Sequence, residues 1–232
     1  MTGVQTCALP IWLTVGARYA AFGMILWQTL PYAPDSPDRK AALDWLAARL
    51  DSQRAWWGEA PPGAQVGNLR AWAALAAAAL SVQTNRTGLR DWAAASLIEV
   101  LCTANPDGSL PQEMSRDKFA LHYQLHAVAP LVTAAALLER QGVDVRDTCG
   151  GALHRVAGFA AADLTGGAKT KAITGVRQSF FDGTETLDPF QLAWIEPYLA
   201  LWDDPAMDAL AKPLRPLSYS KLGGDQTLIW GR

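Results

Sequence analysis

The sequence predicts an all-α protein of successive antiparallel helices, on three observations. Apolar residues recur at the helical period through most of the chain, no alternating run is long enough for a useful strand, and Gly, Pro and Asp punctuate the periodic stretches as helix ends do. Half of the 232 residues are hydrophobic, which suits one compact domain or a large part of one. Helices linked by short loops point to a helical solenoid or a closed toroid of helical hairpins. The lack of a fixed repeat period argues against the common solenoid repeats.

In chain order, residues 1–11 stand apart, because they have neither a helical nor a strand period. A secretory signal would need a basic start, and no Lys or Arg precedes Arg18. Back-translated, Thr2 to Ile11 can be spelled ACT GGA GTT CAG ACG TGT GCT CTT CCG ATC, which resembles a sequencing-library adapter read in frame. Residues 1–11 are therefore expected to be a non-native scar with irregular or poor packing, and 12–232 a domain lacking its natural beginning. The period then predicts helices over Trp12–Leu30, Arg39–Trp57, Leu69–Val82, Leu89–Ala104, Arg116–Arg140, Val145–Ala162, Pro189–Trp202 and Pro205–Ala211. Asp204-Pro205 is a start signal, a capping Asp with Pro at the first helical position. Gln141-Gly142 is a stop. The stretch AWAALAAAAL (71–80) is apolar nearly all round and should be an inner helix. The long loop 163–188 has no core pattern of its own, as befits a lid or binding loop.

Composition sets bounds on function. With 20 basic and 22 acidic side chains the net charge is −2, which excludes a polybasic nucleic-acid or membrane-surface protein. No uninterrupted apolar run reaches membrane-spanning length; Val15–Leu30 comes closest, broken by Arg18 and Gln28. Of three Cys, Cys7 belongs to the suspected scar, and Cys102 and Cys149 read as two buried thiols without metal-ligand spacing. Neither a dinucleotide fingerprint, a P-loop, HExxH nor GxSxG occurs, so no cofactor or metal is called for.

One segment carries chemistry: SRDKFALHYQLHAVAPL, residues 115–131. On a helix, Arg116, Phe119, Tyr123 and His126 share one stripe beside an apolar face. A stripe of Arg, Tyr and His on an otherwise buried helix needs partners. It is either a satisfied polar seam or an anion site in which Arg116 holds a carboxylate, Tyr123 moves protons and His122 or His126 tunes them. Seven residues of helix rise about 10.5 Å, so Arg116 and Tyr123 are expected to meet only through a shared ligand.

LPQEM-x-R followed by ALHYQLHA and APL resembles the signature region of alginate lyases that cleave polymannuronate, polysaccharide lyase family five. WIEPYLALW (194–202) is similar to that family's later Trp-x-Glu-Pro-Tyr segment, and TNRTGLRDWA (84–93) and KLGGD (221–225) add to the likeness. The resemblance implies an incomplete toroid of α-helical hairpins, here missing its first hairpins. It implies Tyr123 as proton-transfer residue, with Arg116 assisting and His122 beside it. The family's Asn-Asn-His-x-Tyr-Trp motif reads Gly67-Asn68-Leu69-Arg70-Ala71-Trp72, so Asn68 and Trp72 are kept while Leu69 replaces the catalytic His. That departure leaves open a non-catalytic polyuronate-binding or exopolysaccharide-assembly role.

The implied reaction removes the proton at C5 of a uronate and expels the oxygen at C4. Donors such as Asn68 and Arg116 must offset the carboxylate charge. In β-linked mannuronate and glucuronate, H5 and O4 lie on one ring face, so one phenol there can take the proton and return it. A phenol ordinarily titrates near 10, and a neighbouring cation favours its charged form. Loss of the His is survivable for such a syn elimination, which favours a β-linked uronan over α-guluronate. Arg70, Lys118, Lys169, Lys171 and Arg177 could steer a polyanion, His126 could bind it, and Trp72 and Trp194 could stack on sugar rings. The expected partner is an anionic polysaccharide, not nucleic acid or membrane; the protein is expected to be a monomer in the periplasm or secreted.

Overall fold

The computed structural model describes residues 8–180, 183–184 and 186–231, with side chains from Ile11 onward. Its first half runs α1 (Ala8–Thr14), α2 (Gly16–Thr29), α3 (Pro37–Trp57), α4 (Pro62–Gln65), α5 (Asn68–Thr84), α6 (Thr87–Leu101) and α7 (Pro111–Met114). There follow α8 (Ala120–Glu139), α9 (Thr148–Asp163), α10 (Ala168–Thr174), α11 (Pro189–Leu192), α12 (Ile195–Leu201), α13 (Pro205–Ala211) and α14 (Gln226–Trp230). Two-residue strands β1 (Ser218–Tyr219) and β2 (Gly224–Asp225) pair antiparallel near the C-terminus. The protein is all-α apart from that short ladder.

The expectation for residues 1–11 falls largely outside the described residues; from Ala8 the chain is helical. The first expected helix is two, α1 and α2, meeting at Val15. The stretch 189–202 is likewise divided between α11 and α12.

Helix α5 is the hub, packed on α2, α6 and α8. Residues Arg70 to Ser81 are all buried, as the all-round apolar pattern of 71–80 requires. Backbone approach between α2 and α5 depends on glycine: a Cβ at Gly16 would stand 2.9 Å from the amide nitrogen of Ala73. Arg39 of α3 locks the same corner, with Nη2 donating to Gln83 Oε1 at 2.6 Å while Gln83 Nε2 donates to the Gly23 carbonyl at 2.9 Å.

The stretch Asp117–Glu139, not 15–30, has the length and hydropathy of a membrane span, yet 83% of its most apolar window is buried inside the protein. It is a core helix. Cys102 and Cys149, expected as separate thiols, form a disulfide with Cα atoms 5.3 Å apart, joining the end of α6 to the start of α9. Their 47-residue separation hid a proximity made by helix packing.

A buried ion pair holds the C-terminal segment to α12. Glu196, fully buried, accepts from Arg215 Nε and Nη2 at 2.9 and 3.2 Å and from Thr227 Oγ1 at 2.7 Å. Thr227 Oγ1 in turn accepts from the Leu217 amide at 2.8 Å, which fixes the chain entering β1.

Candidate active site

The site is organised by the start of α8. The expected continuous helix from Arg116 breaks here: residues Asp117–Phe119 form a 3-10 turn, Asp117 has a φ of 51°, and α8 begins at Ala120. Gln178, from the long loop, stabilises the break by accepting from the Leu121 amide and donating to the Asp117 carbonyl, each at 3.0 Å. Arg116 therefore leaves the helical stripe and folds back, its guanidinium carbon 5.2 Å from the centre of the Tyr123 ring. The two residues touch directly, a cation–π contact that the helical rise alone would forbid.

His122 and His126 lie one turn apart on α8, their rings within 10° of parallel and 6.2 Å between centres. Tyr123 packs edge-on to both, at 5.4 and 6.4 Å. Among the described residues, nothing hydrogen-bonds its hydroxyl. Trp72, buried in α5, donates its indole N–H to His126 Nε2 at 3.2 Å. Indole is a donor only, so this bond assigns Nε2 as acceptor and puts the proton of the neutral ring on Nδ1. Burial, helped by the positive charge of Lys221 and by His122, pushes the His126 pKa down to about 3. Burial and then Lys221 lower that of His122 as well.

A cleft of about 300 Å³ opens beside this pair, lined by His122, His126 and Ala129 of α8 together with Phe190, Trp194 and Tyr219. Phe180 also lines the cleft, its ring centre 5.1 Å from that of His122. Tyr219, missed in the sequence, has its phenol pushed up to about 12 by burial. Asp188 also borders the cleft, but its carboxylate caps α11.

Asn68 was expected to address a substrate carboxylate. Instead it is 2% exposed and directs Nδ2 to both carboxylate oxygens of Glu113, at 3.2 and 3.0 Å, while its amide N–H donates to Oε1 at 2.7 Å. Burial raises the Glu113 pKa, against the Asn68 hydrogen bonds and the charge of Arg116, which lower it. The carboxylate sits so close to α5 that a Cβ at Gly67 would be 3.0 Å from Oε1. Asn68, Glu113, Arg116 and Tyr123 thus form a chain of neighbours along one edge of the site. The cleft itself is walled by His122, His126 and Trp194, not by Asn68, Arg116 or Tyr123.

Other expectations are corrected. Arg70 is neither a substrate cation nor a solvated charge; it is buried, with Nε donating to Ser96 Oγ at 2.7 Å, Nη2 paired with Glu99 at 3.1 Å, and its guanidinium over Trp92 and Trp57. Trp72 and Trp194 are each 1% exposed; Trp72 donates to His126, and Trp194, whose indole N–H donates to the Gln191 carbonyl, also lines the cleft. Lys118 is exposed, with Nζ 5.1 Å from the Phe119 ring; Lys169 and Lys171 are exposed on α10, a helix inside the stretch 163–188 that was expected to be loop, and Arg177 is exposed just after it. Leu69 packs with Trp57, Ala60 and Ala73, in an apolar cluster.

A family model described as alginate lyase matches residues 16–170. An alginate lyase of Pseudomonas aeruginosa (strain PAO1) is 33% identical over 205 residues, which are 87% of this chain and 54% of that protein. One from Azotobacter vinelandii is 33% identical over 201 residues, 86% and 53% of the two chains. Among solved structures, alginate lyase A1-III in an apo form superposes with a TM-score of 0.77 at 24% identity, over 94% of this chain and 61% of that one. Alginate lyase A1-III from Sphingomonas species A1 gives 0.74 at 22% identity over the same shares. The chain spans about half the length of the curated relatives it matches.

Proposed function

This chain belongs to the alginate lyase family, and from that premise we propose that it cleaves a β-linked uronan, polymannuronate or a glucuronan-like polymer, by β-elimination. The observation that carries the reading is the Arg116–Tyr123 contact, with its free hydroxyl next to two histidines at the rim of an aromatic-walled cleft. In this reading the helices are an arc of an (α/α) toroid, and the cleft lies on its inner side.

A uronate seated there would present its C5 proton to the Tyr123 oxygen. The Arg116 guanidinium, 5.2 Å from the centre of the Tyr123 ring, places a positive charge beside the oxygen that takes this proton. The same oxygen then returns a proton to O4 as the glycosidic bond breaks, leaving a C4–C5 double bond conjugated with the carboxylate. His126, held neutral with its proton on Nδ1, acts as a hydrogen-bond donor and not as an acid. Asn68 and Glu113 stiffen the turn from which Arg116 projects. A single oxygen on one ring face serves both steps, so a His at position 69 is not needed for a syn elimination. The Cys102–Cys149 disulfide supports a periplasmic or secreted location, where such bonds persist and polyuronates are met.

Tyr123→Phe tests this directly. It keeps the ring under Arg116 and removes the only group doing both proton steps, so kcat should fall at least about 10³-fold. Affinity for a mannuronate oligosaccharide should change little, because the phenol adds one hydrogen bond of about 0.5–1.5 kcal/mol. A variant that still forms unsaturated product at near the parental rate removes Tyr123 from the mechanism. A protein that binds polyuronate, forms no such product and is unaffected by the substitution fits the assembly or binding role left open by Leu69.

A further inference from the structure

Lys221 is a half-buried cation beside the cleft with no carboxylate partner among the described residues. It lies in the 3-10 turn Ser220–Leu222 that follows β1, two residues after Tyr219, which lines the cleft. Its ammonium lies 5.9 Å from the Trp72 ring and 6.0 Å from the Tyr219 ring, and its charge is felt by both His122 and His126. Arg70 is paired with Glu99 and Ser96, Arg215 with Glu196 and Asp208, and Arg39 with Gln83 and a carbonyl, while Arg155 donates to the Gly150 and Cys149 carbonyls, away from the cleft lining. Taking an ammonium partly out of water without an anion is costly, and burial lowers the Lys221 pKa accordingly. The cost is offset when a ligand brings the missing charge, because the partly dry surroundings that penalise a lone cation strengthen its pairing.

We propose that Lys221 is a substrate-binding residue: its ammonium receives the carboxylate of a sugar ring lying in the cleft against Tyr219 and His126, and this contact makes the site select acidic over neutral sugars. The inference deepens the uronan-lyase reading and rests on it for the ligand class. A compact ammonium suits the task, since it tolerates several carboxylate orientations along a polymer where a planar guanidinium would demand one. The cation–π contacts hold the ammonium in place without neutralising it.

The test is calorimetric binding of a short mannuronate oligosaccharide to Tyr123→Phe protein, in which the ligand is not consumed, compared with the same protein carrying Lys221→Met, Lys221→Gln or Lys221→Arg. A matched neutral mannan oligosaccharide serves as control, and circular dichroism melting establishes that each variant is folded. Removing the charge should weaken binding of the acidic oligosaccharide at least about tenfold, with the neutral one unchanged, while Arg retains affinity within about threefold. Added salt should weaken the lysine protein more than the Met or Gln variant. Equal affinities for the acidic ligand with and without the charge, including no measurable binding by either, would overturn the proposal. If the unsubstituted protein forms no unsaturated product yet charge-dependent binding persists, the lyase reading fails while this inference stands.

Discussion

His126 sits on α8, but its chemistry is decided by α5. The Trp72 indole occupies Nε2, and burial near Lys221 lowers the pKa to about 3, against an ordinary value near 6.5. Between those two values the unfolded chain holds a proton that the folded protein does not, so stability rises with pH across that window. The contribution is complete above about pH 6.5 and is lost as pH falls towards 3. Thermal melting followed from about pH 7 to 4.5 should therefore show a steep acid limb that His126→Gln flattens, the glutamine having no proton to gain. Parallel melting curves for the two proteins would show that His126 is not held neutral. That Arg116, Tyr123 and two histidines need partners was legible in the sequence, which left a polar seam and an anion site both open. That Trp72 would reach across to one of those histidines was not, since residues 72 and 126 are brought together only by the packing of α5 on α8.

At the scale of elements, the cleft depends on two devices remote from it. Arg215, Glu196 and Thr227 bind the C-terminal ladder to α12 and so set where Tyr219 and Lys221 stand. Arg215→Ala leaves the fully buried Glu196 carboxylate without its cation and should cost about 3–5 kcal/mol in urea unfolding. A cost near zero would mean that water or the chain ends supply the missing partner. The second device is the disulfide. Closing 47 residues contributes about 4 kcal/mol in the chain-entropy model. Replacing both Cys102 and Cys149 by Ser should lower stability by about 2–4 kcal/mol, whereas free thiols in the native protein would make the substitution nearly silent. These elements also mark the limits of what the sequence discloses. The helix 68–84 was legible because its apolar pattern is complete around the helix. The break after Arg116 was not, because Gln178, some sixty residues later, supplies the hydrogen bonds that hold it. Arg70 was misread for a related reason: on a helix buried on every side, position does not tell which neighbour a charge will meet. Glu196 and Lys221 fell inside quoted motifs, yet their work is visible only once the C-terminal segment returns to α12 and α8.

For the whole molecule, the account joins three levels. An alanine-rich hub lets α2, α6 and α8 close around α5, α8 carries His122, Tyr123 and His126 to the rim, and the C-terminal ladder completes an aromatic cleft with a cation at its edge. The central claim is that this arrangement eliminates across C4–C5 of a β-linked uronate using one ring face. The most direct measurement is ultraviolet absorbance of the conjugated product, with the protein supplied separately with polymannuronate, glucuronan and polyguluronate. The account predicts absorbance growing with polymannuronate or glucuronan and little with polyguluronate, whose C5 proton lies on the opposite face. Absorbance growing fastest with polyguluronate, or chain shortening without any absorbing product, would contradict it.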